Sequence, residues 1–311
     1  MRLTANAIVL ILLSMIVFAL MNFKSPADIA RSVLGREVAT EQIDEFIANH
    51  GLDKGIALRY VAWVSNAVRA DLGRSVITDR EVAPDVIPRF LRSLSLAAVG
   101  GGCGAIFGIL TGVFLARRFG SRSDFHIVTG LLMLASMPEF LIGIALYLTF
   151  VVWLGWFPTQ SEFAFAFGTS WARAQTFVLP ALTIAILIVP HVARVARIST
   201  AEALAAPYVV AARLRGLSEF SVKWDHAFRN AAVSLVSVVG LNLVYAMAGV
   251  VVVEYLFGFP GMGSLLVQSI ASGDLFVTQA IIMLFACVVI AINMIVDVGI
   301  LWLNPRLRFL S

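Results

Sequence analysis

The chain has 311 residues, 60% of them hydrophobic and only 14% charged, with a mean hydropathy of +0.92, whereas ordinary globular domains carry about a quarter charged residues. That balance excludes a water-soluble globular enzyme and places the chain among integral membrane proteins. The net charge of +4 does not call for nucleic acid, because the bias of basic residues toward cytoplasmic loops generates the same excess.

Hydropathy predicts an all-α membrane protein with six transmembrane helices, at about Ala5–Phe23, Leu94–Ala116, Ile127–Phe157, Phe177–Val195, Ala232–Phe257 and Gln279–Leu303. These runs are continuously apolar and lack the alternation of a membrane barrel strand, so helices are the reading. The first span, within residues 1–23, resembles a signal peptide in having one positive charge before its apolar stretch, but no A-x-A-like cleavage site follows and it is taken as a span. Pro138, Pro180 and Pro190 fall in or at the ends of spans, where they predict kinks.

Residues 24–92 form the one sizeable polar region. "TEQIDEFIANHGLDKGIALRYVAWVSNAV" suits two short amphipathic helices around Gly51 and Gly55, and "DLGRSVITDREVAPDVIPRF" a turn-rich return to the membrane. Residues 93–303 hold the remaining five spans and 304–311 a tail. With six spans the termini share a side with Arg117, Arg118, Arg122, Arg194, Arg197, Arg213, Arg215, Lys223 and Arg229, whereas the two short loops opposite carry Arg173 alone. The arginine-rich side is therefore the expected cytoplasm of a prokaryotic plasma membrane, with the 24–92 region outside it.

No catalytic or metal motif is visible. The three lysines, Lys24, Lys54 and Lys223, follow Phe23, Asp53 and Val222, so none stands in a Gly-Lys-Ser/Thr phosphate loop. His50, His126, His191 and His226 are scattered without the one-turn spacing of a zinc protease. Cys103 and Cys287 fall inside spans and show no disulfide or metal pattern. An intramembrane serine protease would have Ser264 in "PGMGSLL" as its candidate nucleophile, on the side away from His191.

Polar residues at membrane depth are costly and therefore informative. Glu139, Asn242, Glu254, Asn293 and Asp297 are the candidates. Asn242, Asn293 and Asp297 suit helix-to-helix hydrogen bonds. Glu254, before a Phe-Gly-Phe-Pro-Gly turn, either lines a path or anchors the outer loop; Phe257, Pro260, Gly261 and Asn242 join it as path or gate candidates.

The stretch from about 199 to 231 between the fourth and fifth spans reads as a docking element. Ala205, Ala206, Ala211 and Ala212 let a short helix approach another surface closely, Gly216 permits a sharp turn, and the arginines hold the loop at the interface. A basic loop lying on anionic lipid is the alternative.

"YVVAARLRGLSEFSVKWDHAFRNA" resembles the EAA loop of ATP-binding-cassette importer permeases, in the form found in the dipeptide/oligopeptide/nickel family. "VVVEYLFGFPGMGSLL" is similar to that family's Glu-x-x-Phe-x-x-Pro-Gly-x-Gly, "NPRLR" to its C-terminal Asp-Pro-Arg, and "GLDKGIALRY" with "ADLGRS" to its outer loop. Pro207 stands where the family often has an acidic residue, Arg215 and Asn304 replace its Lys and Asp, and its Pro-Gly-Asp segment after the first span is missing.

The resemblance implies a permease subunit of a solute-binding-protein-dependent importer, working by alternating access. Its expected partners are a second homologous permease, two cytoplasmic ABC ATPases and an extracytoplasmic solute-binding protein. ATP and Mg would be bound by the ATPases and no cofactor by this chain. Glu202, Tyr208, Ala211, Ala212, Arg213, Gly216, His226 and Asn230 would then form the ATPase-coupling element. Di- or oligopeptides are the expected cargo, with nickel chelates, haem or glutathione-like solutes as alternatives within the family. A self-sufficient secondary transporter is the alternative outside it, though no inverted repeat is visible.

Overall fold

The computed structural model describes residues 2–23, 25–35, 38–159, 161, 165, 168–218, 221–222 and 228–303. Its elements in chain order are α1 (Arg2–Met21), α2 (Pro26–Leu34), α3 (Thr40–Asn49), α4 (Ile56–Val68), α5 (Ala83–Ala116), α6 (Arg122–Ala135), α7 (Glu139–Tyr147) with a π-helical turn at Leu148–Trp153, α8 (Ser170–Ala205), α9 (Pro207–Leu214), α10 (Arg229–Phe257), α11 (Met262–Ser272) and α12 (Leu275–Leu303). The chain is all-helical among the described residues, apart from one isolated antiparallel bridge between Arg74 and Glu81.

Among the described residues, four helices are long and apolar enough to cross a membrane, where the sequence suggests six spans: Ala83–Ala116, Ser170–Ala205, Ala231–Phe257 and Leu275–Leu303. A fifth span arises if α6 and the segment Glu139–Trp153 are counted together, and Asn6–Met21 and Met262–Ser272 are shorter apolar helices. The span expected at Ile127–Phe157, with a kink at Pro138, is bent by 96° between α6 and α7 and is broken into two helices there. Pro138 causes the break: it disfavours helical backbone at Met137 and has no N–H to continue the ladder, so it caps α7 instead of kinking one helix. Pro180 and Pro190, by contrast, lie inside the unbroken α8. That helix also runs ten residues past the expected end of its span at Val195.

The chain divides into two compact units, Met1–Ser93 with Pro260–Val288 and Leu94–Phe259 with Val289–Ser311. In the first, α2 starts on a Ser25 cap whose hydroxyl accepts from the Asp28 N–H, with Pro26 at its first turn. Ile29, Ala30, Ile43, Phe46, Leu52 and Val76 make one buried cluster, while Val82, Val86, Met262, Val277, Ala280 and Ile281 make another. Among its described residues the polar region thus carries three whole helices and the start of α5 where the sequence suggests two short helices. Helix α1 packs on α4 through Phe18, whose ring lies 5.4 Å from that of Tyr60 and 5.8 Å from that of Trp63. Residues 260–288 are fastened by hydrogen bonds: Ser75 to the Asp274 carboxylate, the Met262 N–H to Ser93 Oγ at 2.7 Å, and Arg92 to the Pro260 carbonyl at 3.2 Å.

In the second unit, α5 meets α8 along Gly100, Gly104, Gly108 and Gly112, spaced one turn apart. A Cβ at Gly108 would stand 2.7 Å from Val192 Cβ, and one at Gly112 2.5 Å from the Ala193 carbonyl oxygen. Small residues at this spacing let two backbones approach until dispersion contacts replace the missing hydrophobic drive between helices in lipid. Helix α10 packs against α8 and α7. Gly240 receives Val296 so closely that a Cβ there would lie 2.1 Å from a Val296 methyl carbon.

Candidate functional site

The second unit holds an open cavity of about 550 Å³ between α7, α8 and α10. Its walls follow helical periodicity. Ile184, Leu187, Ile188, His191, Arg194 and Val195 come from one face of α8, and Val238, Leu241, Asn242, Tyr245, Ala246 and Gly249 from one face of α10. Glu139, in the first turn of α7, completes the lining. Gly249 leaves room for its carboxylate, since a Cβ there would lie 2.9 Å from Glu139 Oε2. The lining therefore combines a carboxylate, a guanidinium, an imidazole, a phenol and an amide with aliphatic walls.

Of the path candidates, Asn242 alone lines this cavity, and its Nδ2 donates to the Val238 carbonyl at 2.8 Å within its own helix. Glu254 does not line it: the side chain is wholly buried and is engaged within the fold. Phe257 is buried, its ring 6.0 Å from that of Tyr147, and its carbonyl accepts from Ser161 Oγ at 3.0 Å. Pro260 and Gly261 belong to the first unit, where Gly261 precedes α11 as its N-cap. His191, Arg194 and Tyr245 line the cavity although the sequence does not mark them as path residues. The two basic side chains read in sequence as markers of a span's cytoplasmic end; their spacing of three on an apolar helix was the available signal.

The loop after α8 is organised by two residues. Ala206 is extended, as a residue before proline prefers, and Pro207 then opens α9 at its first turn. Gly216 has φ +75° and ends α9: its N–H bonds to the Arg213 carbonyl at 2.9 Å, and the Leu217 N–H to the Ala212 carbonyl at 3.3 Å. This is a Schellman termination, which needs the left-handed conformation that glycine adopts without strain.

Val209 and Ala212 turn inward and join Ala203, Val222 and Ala231 in a buried cluster. Ala211, Arg213, Leu214 and Leu217 face outward, with Leu214 84% exposed. Ala212 thus packs against its own chain, not on the outward face with Ala211. Glu202 and Tyr208 line a shallow groove with Ser199, Ala206 and Ser234. His226 and the tail 304–311 lie outside the described residues, as does the side chain of Asn230.

A brace lies beside the cavity. Arg197 Nε and Nη2 donate to the two Asp124 carboxylate oxygens, each at 2.6 Å, while its guanidinium stacks over the Phe119 ring at 4.2 Å. The Gly120 N–H donates a further bond to Asp124 at 2.9 Å. A planar guanidinium on a carboxylate in this forked geometry fixes the start of α6 against α8.

The model of the family described as "Binding-protein-dependent transport system inner membrane component" matches residues 108–309, and that of its N-terminal part matches residues 1–97. The chain is 34% identical over 304 residues to the glutathione transport system permease protein GsiC of Escherichia coli strain K12, covering 96% of this chain and 95% of that protein. GsiC of Shigella dysenteriae serotype 1 matches to the same extent. Among solved structures, the inward-facing MetNI methionine ABC transporter superposes with a TM-score of 0.57 at 16% identity, covering 71% of this chain and 96% of that one, a likeness of fold. The chain therefore belongs to the family of binding-protein-dependent transport system inner membrane components and is a membrane permease subunit of an ABC importer.

Proposed function

We propose that the cavity between α7, α8 and α10 is this subunit's share of a translocation path for short peptides, glutathione-like peptides included. The observation that carries the proposal is the lining. Glu139 and Arg194 present both signs of charge in a cavity of about 550 Å³, within the range that small-molecule sites occupy. A free peptide needs that pairing, because an ammonium and a carboxylate leaving water each require a counter-charge. The glutathione-like reading draws further support from the relatives named glutathione permeases.

In this reading a second homologous permease closes the open side of the cavity. Two ABC ATPases, which bind ATP and Mg, dock on the outward face of α9 and the Glu202–Tyr208 groove, and an extracytoplasmic solute-binding protein delivers the cargo. Both termini lie in the cytoplasm, as the arginine-rich loops favour. ATP-driven closure of the ATPases rocks the helices between two access states.

The test is uptake by the reconstituted complex of radiolabelled dialanine and of glutathione in parallel. Saturable, ATP-dependent uptake of either supports a peptide path, whereas transport of neither contradicts it.

A further inference from the structure

The first unit contains a separate pocket of about 190 Å³ whose lining includes Asn22, Arg59, Trp63, Asp71, Phe276 and Gln279. Gln279 has 0% of its surface exposed, and neither Nε2 nor Oε1 has a hydrogen-bond partner among the described residues. A buried amide with both ends unpaired is costly, and native folds tolerate few. Its neighbours Asp274 and Thr278 are, in contrast, fully engaged: Ser75 donates to Asp274, and Thr278 Oγ1 lies 2.7 Å from the Asp274 carbonyl and 3.0 Å from Ser269 Oγ. Of these three residues, the one without a partner is the one that lines the pocket.

Arg59 supplies the second observation. It donates one N–H to Asn22 Oδ1, and it makes no ion pair with a carboxylate among the described residues. Burial holds its pKa below the usual arginine value, so its charge sits partly desolvated without a counter-ion. A guanidinium has five N–H donors in a planar fork, and one bond to Asn22 leaves most of them unused by that contact. The remaining wall is apolar and aromatic, from Phe18, Leu52, Trp63 and Phe276.

We propose that this pocket is a binding site, distinct from the α7–α8–α10 cavity, for a small carboxylate carried on a short apolar stem. The carboxylate takes the free donors of Arg59 and the Nε2 group of Gln279, and the stem lies against Trp63 and Phe276. Such a group reaches the pocket either as a free solute or as a fatty acid from the bilayer.

The test uses the complete transporter in nanodiscs without its binding protein, titrated with N-acetylleucine, with octanoate, and with N-acetylleucinamide, which keeps the stem and loses the charge. Saturable binding of N-acetylleucine or octanoate is expected, the tighter of the two identifying the source, with the amide at least tenfold weaker than its parent acid. Gln279→Leu should weaken the acid at least tenfold while raising the midpoint of thermal unfolding, because it removes an unpaired buried amide. Arg59→Gln should abolish acid binding, which an acid held by Arg194 in the other cavity would survive. Absence of saturable binding by both acids, equal affinity for acid and amide, or a fall in the unfolding midpoint of Gln279→Leu overturns the proposal.

Discussion

Arg197 and Asp124 face each other as a two-bond fork, both contacts 2.6 Å, with the Asp124 side chain 3% and the Arg197 side chain 17% exposed. Seventy-three residues separate them in sequence, so the bond is a tertiary clamp between α6 and α8. Removing one partner of a buried pair leaves the other charge uncompensated and costs about 3 kcal/mol or more. Asp124→Asn should therefore lower the yield of folded protein and its thermal midpoint in detergent. The double change Asp124→Leu with Arg197→Met should recover much of that loss. A double variant no more stable than Asp124→Asn would show that the neighbourhood needs the ions themselves.

The glycine stripe of α5 makes a second, paired expectation. Gly108→Ala puts a Cβ 2.7 Å from Val192 Cβ, and such overpacking costs about 1–3 kcal/mol. Gly102→Ala meets nothing within 4 Å and should be neutral or stabilising, since alanine favours a helix by up to about 1 kcal/mol over glycine. Thermal unfolding of both variants side by side reads the difference.

Much of this architecture is legible in the sequence, because apolar runs report membrane helices and the arginine-rich stretch reports a loop. Gly216 was legible as a turn, and the Schellman bonds give the reason. A kink at Pro138 is legible too, but not that it becomes a 96° break between two helices, because hydropathy stays high through Ile127–Phe157 and registers solvent, not direction. The length of α8 was missed for the complementary reason: "ARISTAEALA" is polar enough to leave the membrane yet rich in helix formers. The cavity was legible only in Asn242 and, as a polar residue at depth, Glu139. His191, Arg194 and Tyr245 acquire a shared role only when α8 and α10 face one another, which residue spacing on either helix alone does not specify.

At the cavity, Glu139→Gln removes the negative charge and keeps the shape of the side chain. Peptide uptake should fall about tenfold or more, corresponding to a lost charged contact of about 1.4 kcal/mol or more. Co-purification of the ATPases should be unchanged. Arg194→Gln should reduce uptake likewise. Uptake at the wild-type rate in both variants would remove this cavity from the path.

On the loop, inward and outward residues should behave differently. Ala212→Glu buries an unpaired carboxylate among Val209, Val222 and Ala231, so the loop backbone should loosen and the bonds after the exposed Arg213 and Arg215 should be cut faster by limited trypsin. Leu214→Asp changes a side chain 84% exposed and should leave cleavage resistance intact while weakening ATPase co-purification. Equal trypsin patterns for the two variants would contradict this division of the two faces.

In the proposed mechanism this permease moves solute only when ATP hydrolysis reaches it through α9. The most direct measurement is accumulation of labelled dialanine or glutathione in proteoliposomes holding the whole transporter and its binding protein, with and without ATP, for the wild type and Leu214→Asp. The wild type should accumulate label only with ATP and binding protein present, and Leu214→Asp should lose most of that accumulation while remaining inserted. Undiminished accumulation without the ATPase subunits, driven by an ion gradient alone, would contradict the account.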